Sequence, residues 1–166
     1  MTKTSKYAKD DYVVYPIHGV GKVVGVETAT YGSEDLELLV IQFEADRMIL
    51  HVPVTKGEQS GLRHLSSPKL MNTALQTLRG RARVKRTMWS RRAQEYESKI
   101  NSGDPISIAE VIRDLHRNAE QPDQSFSERQ IYRNALGRLT RELAAIEQIN
   151  EDQASDKLSE VLQEAA

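Results

Sequence analysis

The sequence contains no cysteine, which excludes disulfide bonds, thiolate metal sites and a cysteine nucleophile. Its four histidines, His18, His51, His64 and His116, do not have the spacing of metal ligands, and no enzyme motif such as HExxH or GxSxG occurs. No stretch approaches the roughly 18 apolar residues of a membrane span, and the first residues lack the apolar run of a signal peptide. We therefore expect a cytoplasmic protein that is not an enzyme and that needs no metal or other cofactor.

Aromatic residues are also scarce, at 5% of the 166 residues, whereas 28% are charged. The net charge of −1 conceals a segregation of charge along the chain. Residues 69–118 contain 11 Lys and Arg against 5 Asp and Glu, whereas residues 119–166 contain 5 against 10. The middle of the chain is therefore the part suited to a polyanionic partner.

The positive charge is densest between Arg79 and Arg92. This stretch has no acidic residue and includes the only tryptophan, Trp89. Its seven cations are Arg79, Arg81, Arg83, Lys85, Arg86, Arg91 and Arg92. Such a cluster is costly unless a polyanion neutralises it, so a nucleic-acid contact is one interpretation. A solvated basic turn between helices is the other, because basic clusters are common and weakly specific.

Short β-branched or apolar runs separated by turn residues predict strands in the first third of the chain. The four runs are residues 11–16, 19–26, 36–43 and 47–52. Their spacing predicts a small antiparallel sheet or an SH3/Tudor-like barrel. Gly19 and Gly21 lie on the second run, where missing side chains permit sharp coiling or close approach of another backbone. The surrounding HGVGKVVG completes no phosphate-binding motif, so phosphate binding is not expected.

Period-two patterning stops at residues 54–68, which are rich in glycine, serine and threonine. We predict that they link a β domain, residues 1–53, to a helical domain, residues 69–166. The expected fold is therefore α+β, with a small Tudor/SH3-like antiparallel β domain followed by an all-helical bundle.

Helical periodicity and capping residues divide the second part of the chain into five expected helices. The first ends near Gly80, and the second carries Trp89. The third opens with Asp104 as N-cap and Pro105 at the first helical position. Ser127 and Gln130 form a capping box for a long fourth helix, and an amphipathic tail helix follows.

Trp89 has two interpretations that the sequence leaves open. Its spacing to Ala93, Tyr96 and Ile100 places it on the apolar face of its helix, as expected for a core anchor. Its position in the first turn, among Lys85, Arg86, Arg91 and Arg92, also allows the ring to project from the bundle. A ring at such a cationic end can wedge against bases while the neighbouring cations neutralise phosphates.

Three segments resemble the CarD/CdnL family of bacterial transcription regulators. They are VVYPIHGVGKV at 13–23, LHVP at 50–53 and MWSRRAQEYESKINSGDPISIAEVIRDLHRN at 88–118. The combination of WSRR, SGD and AEVIRDL is specific. The YPxHGVG pattern alone is shared with the polymerase-interacting module of the transcription-repair coupling factor.

The resemblance implies a Tudor-like domain that docks on the β subunit of RNA polymerase and a helical domain that contacts promoter DNA. In that family the tryptophan of WSRR wedges into the minor groove near the −10 element, at the upstream edge of the bubble, and stabilises the open complex. Trp89 matches that tryptophan, and Arg91 and Arg92 match the arginines, which would contact the DNA backbone or groove edge.

The resemblance also implies polymerase contacts, for which the candidates are Tyr31, Arg47, Met48 and His51. The chain departs from the family pattern at two of them. His51 stands where many members have an arginine, and Tyr31 is expected in a polar loop where no obvious cation follows the second strand. We expect docking through the backbone of a sheet edge to tolerate these changes.

The expected function is thus a monomeric transcription regulator, located with RNA polymerase on the nucleoid. Two alternatives stay open. One is a stand-alone, non-specific DNA-binding protein that uses the same basic stretch. The other is a protein-protein adaptor in which Trp89 is core and the basic stretch meets an acidic partner.

Overall fold

The computed structural model describes residues 7–43, 47–54, 62–81, 88–116 and 126–164, with the side chains of Tyr31 and Glu164 excepted. The chain divides into two units, Met1–Leu65 and Ser66–Ala166. Among the described residues the first unit consists of strands and the second of helices, which confirms the α+β fold. The first unit extends to Leu65, beyond the expected domain end at residue 53.

An antiparallel sheet forms the first unit. Its strands in the described residues are β1 (Tyr12–Tyr15), β2 (Gly19–Tyr31), β3 (Glu34–Phe43), β4 (Met48–Pro53) and β5 (Arg63–His64). The spatial order is β4-β3-β2-β1-β5, so β4 and β5 form the two edges. The four strands expected from the sequence are present, whereas β5 lies within the residues expected to be a linker. A two-residue strand is too short to produce a periodic sequence signal.

Tyr31 does not lie in a loop, contrary to the expectation from the sequence. It is the last residue of β2 and pairs with Glu34 of β3. Gly32 follows it with a positive φ of 64°, which a tight hairpin turn requires and which glycine adopts without strain. The turn is therefore shorter, and the strand longer, than the polar composition of this segment suggested.

The sheet buries one face around Val13, Val23, Leu39, Ile41 and Phe43, each at most 1% exposed. Gly21 of β2 lies against this core. A Cβ atom built on it would come within 2.6 Å of the Ile41 Cγ2 atom and 2.8 Å of the Phe43 Cε1 atom. The close approach expected at Gly21 is thus made by side chains of the core, and not by another backbone.

Five helices form the described part of the second unit. They are α1 (Pro68–Leu78), α2 (Trp89–Asn101), α3 (Pro105–His116), α4 (Phe126–Glu147) and α5 (Glu151–Glu164). Local capping explains two of the starts. At the start of α1, the Ser67 side chain accepts a hydrogen bond from the Leu70 amide. At the start of α3, the Asp104 carboxylate accepts one from the Ile106 amide at 3.3 Å. A proline follows each of these two residues, at the first helical position. The expected N-cap role of Asp104 is confirmed.

The start of α4 differs from the expectation. The helix begins at Phe126, so Ser127 lies inside its first turn and not at the position that precedes the helix. The Ser127 hydroxyl accepts a hydrogen bond from another helix, as described below. The sequence motif placed the beginning of α4 two residues too late, because an N-cap at Ser127 makes residue 128 the first helical residue, and it did not indicate the contact of this serine with α2.

All five helices contribute to one apolar core in the second unit. Its most buried large side chains are Met71 and Leu78 of α1, Ile100 of α2, Ile112 and Leu115 of α3, Leu139 and Leu143 of α4, and Leu158 of α5. Two charged residues of α4 are also buried. Arg138 donates to the Ile100 carbonyl at 3.2 Å, and Glu142 accepts from the Ser66 amide at 2.8 Å. These polar contacts join α4 to the end of α2 and to the beginning of the unit.

Candidate nucleic-acid interface

The first turn of α2 is cationic and carries no acidic residue. Met88 precedes the helix, and its carbonyl accepts hydrogen bonds from the Arg91 and Arg92 amides, both at 3.1 Å. The Met88 side chain makes no capping hydrogen bond. The positive end of the helix dipole and two guanidinium groups therefore coincide, and this combination favours an anionic partner.

Trp89 is the first residue of α2 and is only partly buried. Its ring packs against the edge of the helical core, with its centroid 6.2 Å from that of Tyr96. At the other edge, the indole Nε1 donates a hydrogen bond of 2.8 Å to the Ser127 Oγ atom of α4. The ring is thus neither fully buried nor free, and it combines features of both interpretations raised by the sequence.

The two arginines that follow Trp89 have different surroundings. Arg91 is exposed, and its guanidinium forms no ion pair or hydrogen bond with any part of the chain that the structure describes. Arg92 is partly buried, with its Cζ atom 5.4 Å from the Trp89 ring centroid and 5.9 Å from that of Tyr96. Its Nε atom is buried without a hydrogen-bond partner in the described residues. The structure therefore brings Arg92, and not Arg91, onto the ring.

A cavity of about 610 Å³ extends along α2 from Arg91 to Lys99. Arg91, Arg92 and Lys99 line it, but so do the carboxylates of Glu95 and Asp114. Asp114 is 3% exposed and is paired with the neighbouring Arg113, whose Nε atom lies 3.0 Å from its Oδ1 atom. The mixed charge of the lining does not favour the binding of a phosphate in this cavity.

Two exposed apolar side chains adjoin Trp89 and its partner Ser127 along the chain, and they were not identified from the sequence. Met88 precedes it and is 73% exposed, and Phe126 is 76% exposed. Phe126 adjoins Ser127, so the hydrogen bond from Trp89 brings the starts of α2 and α4 together. The available sequence signal was weak: Phe126 stands between two serines, outside the apolar periodicity of α4. Exposed apolar groups beside cations suit a partner that presents both phosphates and bases.

Three of the four candidate polymerase contacts lie in the first unit on or next to the edge strand β4. Met48 begins the strand, and His51 is exposed on it, 3.4 Å from a Glu27 carboxylate oxygen. Arg47 precedes the strand and is exposed, with a positive φ of 51° that is unusual for a side-chain-bearing residue. Ile49, which the sequence reasoning did not select, is 57% exposed. In the run MILHV, Ile49 and His51 are two residues apart and therefore lie on the same face of the strand. This spacing is the sequence signal that could have identified Ile49.

The fourth candidate, Tyr31, is the last residue of β2 and does not belong to β4. Lys85 and Arg86 lie outside the described residues. Within the described ranges, no cluster of three or more His, Asp or Glu side chains has the geometry of a metal site. Among those same residues, no helix combines the length and apolar composition that crossing a membrane requires.

Comparison with known proteins gave two successive family matches. The model described as the CarD-like/TRCF RID domain matches residues 7–66, and the model described as the CarD C-terminal domain matches residues 73–159. YdeB of Bacillus subtilis (strain 168), which is named as a candidate transcription factor, is 27% identical over 143 residues. That alignment covers 86% of this chain and 94% of YdeB.

Proposed function

The chain belongs to the CarD family of transcription regulators, and we propose that it binds the β subunit of RNA polymerase through its first unit and contacts promoter DNA through its second. The DNA contact lies in the minor groove near the −10 element, at the upstream edge of the transcription bubble. There the protein stabilises the open complex. This activity requires neither catalysis nor a cofactor, and it operates in the cytoplasm on the nucleoid.

One observation carries the proposal: at the start of α2 a partly buried ring lies beside an exposed arginine, without any acidic residue in the same turn. Trp89 has one edge anchored on the helical core and retains exposed surface. A ring that wedges against bases needs both the anchored edge and the exposed surface. A ring without packing contacts would be displaced by the bases, and a fully buried ring cannot reach them. Arg91 supplies a cation for the adjoining phosphates, and Met88 and Phe126 add apolar surface.

The bubble edge is a suitable target because its bases are already unstacked. Inserting a side chain into intact duplex costs a few kcal/mol per step, whereas a melted junction has already met this cost. A ring that stabilises the junction therefore favours the open promoter over the closed one. Such a contact requires no base-specific hydrogen bond, so we expect activity at many promoters.

The edge strand β4 supports the proposed polymerase contact. In the described residues β4 pairs with β3 alone, so its other side presents backbone donors and acceptors to a partner strand. Ile49 and His51 provide exposed side chains on the same strand. Backbone pairing depends little on side-chain identity, and it can therefore tolerate the histidine at position 51.

Two attachments are needed because the DNA contact alone is weak. A few arginine-phosphate contacts provide non-specific affinities of the order of 10⁻⁴ to 10⁻⁶ M, which fall further with salt. Binding to polymerase raises the effective concentration of the second unit near the promoter. We therefore expect the protein to bind duplex DNA poorly in the absence of polymerase.

The test is the lifetime of open complexes formed by the cognate polymerase, measured after a competitor challenge. We expect the protein to lengthen this lifetime and Arg91→Gln to shorten it, whereas Lys69→Gln, an equal charge change at an exposed position on α1, should have little effect. Polymerase binding should be the same for both variants. Tight duplex binding without polymerase would favour a stand-alone DNA-binding protein. A nuclease-resistant polymerase complex with no DNA crosslink at α2 would favour an adaptor.

A further inference from the structure

The indole of Trp89 is contacted at two places by polar side chains from different helices. The Ser127 Oγ atom of α4 accepts the indole N–H at 2.8 Å, and the Arg92 guanidinium of α2 lies over the ring at 5.4 Å. Ser127 satisfies the only hydrogen-bond donor of the indole, and the Arg92 guanidinium makes a cation–π contact with the ring. Both contacts restrict the orientation of a ring that is only partly buried.

Ser127 restricts rotation of the ring about its bond to the Cβ atom. The indole has a single donor, and a hydrogen bond at that donor is satisfied in one ring orientation only. Ser127 lies in the first turn of α4, a helix of 22 residues that is anchored by Leu139 and Leu143 in the core. The acceptor is therefore held by a rigid element that lies 38 residues away from Trp89 in sequence.

Arg92 restricts movement of the ring away from the helix surface. Its guanidinium is in cation–π range of both Trp89 and Tyr96, at 5.4 and 5.9 Å. In the described residues its buried Nε atom has no hydrogen-bond partner. The contacts with the two rings therefore help to fix the position of the side chain. With its Nε atom buried and its guanidinium over two rings, Arg92 is engaged within the protein to a greater extent than the exposed Arg91.

We propose that Ser127 and Arg92 are positioning residues, which hold the indole of Trp89 in the orientation that meets an unstacked base or its deoxyribose. Arg91, by contrast, is the outward cation that neutralises phosphate. The second half of this inference, the effect on open complexes, rests on the proposed function. Its first half, the control of ring orientation, is independent of DNA and can be measured on the protein alone.

The only tryptophan of the chain makes that measurement direct, because all indole fluorescence reports on Trp89. Ser127→Ala should shift the emission to longer wavelength and increase quenching by acrylamide, because the ring loses its anchor and becomes more hydrated. Ser127→Thr keeps the hydroxyl and should restore the original spectrum. Ser98→Ala is a matched control, since it removes an exposed hydroxyl from α2 nine residues, or about 13 Å, from Trp89.

The open-complex lifetime tests the second half. Loss of one neutral hydrogen bond that orients the ring should shorten the lifetime by about 2- to 10-fold in Ser127→Ala, with recovery in Ser127→Thr. Arg92→Lys keeps the charge but loses the planar stacking group, and it should shorten the lifetime by about 2- to 5-fold. Circular dichroism should show unchanged helix content in each variant.

Salt dependence separates the two arginines. When the logarithm of the affinity for promoter DNA is plotted against the logarithm of the salt concentration, Arg91→Gln should make the slope less steep by about 0.9, the value for one phosphate contact. Arg92→Gln should leave the slope unchanged. Equal changes in slope, or full activity of Arg92→Lys, would show that Arg92 neutralises phosphate, and its positioning role would be wrong.

Two outcomes identify which proposal fails. If the fluorescence of Ser127→Ala matches that of the natural protein, or if it changes without any loss of open-complex lifetime, the positioning role of Ser127 is refuted. If Trp89→Ala leaves the lifetime unchanged while Ser127→Ala still alters the fluorescence, the proposed DNA contact fails instead, and Ser127 orients a ring with no part in promoter binding.

Discussion

Replacing Trp89 by alanine tests whether its ring contacts DNA or serves only as an anchor of the helical core. The substitution removes the hydrogen bond to Ser127, the contact with the Arg92 guanidinium and the packing on Tyr96. These contributions are about 1, 0.5 to 1 and 0.5 to 1.5 kcal/mol. We therefore expect a loss of about 2 to 3.5 kcal/mol in the free energy of unfolding of the second unit. Truncation of a fully buried tryptophan would cost about 3 to 5 kcal/mol.

This loss should leave the protein folded at 25 °C. For a unit of this size it corresponds to a decrease in Tm of about 8 to 28 °C. The effect on promoters should be larger than such a loss explains, because a ring against unstacked bases contributes about 1 to 3 kcal/mol. That range corresponds to a 5- to 150-fold shorter open-complex lifetime. Polymerase binding should be unchanged, because the first unit is not altered.

The assay combines urea denaturation with the open-complex lifetime on the same preparation of protein. Trp89→Phe is the matched variant, since it keeps an aromatic ring at the start of α2 but loses the indole donor and part of the ring area. We expect it to retain more of the activity than Trp89→Ala. A folded Trp89→Ala protein with full activity would refute the wedge. An unfolded one, while Trp89→Phe is stable and fully active, would identify Trp89 as a core anchor.

Four further substitutions test other parts of the structure. Gly21→Ala should destabilise the first unit by about 1 to 3 kcal/mol through overpacking, and an unchanged denaturation midpoint would contradict the close contact. Glu142→Ala should cost about 1 to 3 kcal/mol because the Ser66 amide loses its acceptor, whereas Glu142→Gln should cost less; equal losses would contradict this. Ile49→Lys on β4 should weaken binding to the polymerase β subunit without altering the emission of Trp89, and unchanged binding would exclude this part of the edge. Phe126→Ser should shorten the open-complex lifetime by about 5-fold or more if its exposed ring contacts DNA, with no loss of stability; an unchanged lifetime would remove it from the interface.

The starts of α2 and α4 show why the sequence predicted the site only in part. The apolar spacing of Trp89, Ala93, Tyr96 and Ile100 correctly placed the tryptophan on one face of a helix. It could not establish how far the ring is buried, because burial depends on the other helices that reach the first turn. The capping box compares residues that are only three positions apart, so it considered Ser127 within its own helix. It could not reveal the contact with Trp89, which lies 38 residues earlier in the chain.

Arg91 and Arg92 illustrate the same limit at the level of single side chains. They are adjacent and chemically identical, and the sequence assigned both to DNA. One residue of rotation on an α-helix is about 100°, so the two side chains leave the helix in different directions. Only the packed position of Tyr96 determines that Arg92 meets the rings while Arg91 remains exposed.

The sequence by itself determined the features that depend on neighbouring residues and on average composition. These are the strand and helix periodicities, the change from one to the other between residues 54 and 68, the cationic middle of the chain and the Asp104 cap. The tertiary structure alone decided which strand forms a sheet edge, that β5 joins the sheet, and which side chains contact the indole. These features depend on contacts between residues that are distant along the chain, and such contacts form only when the hydrophobic faces of the elements pack together.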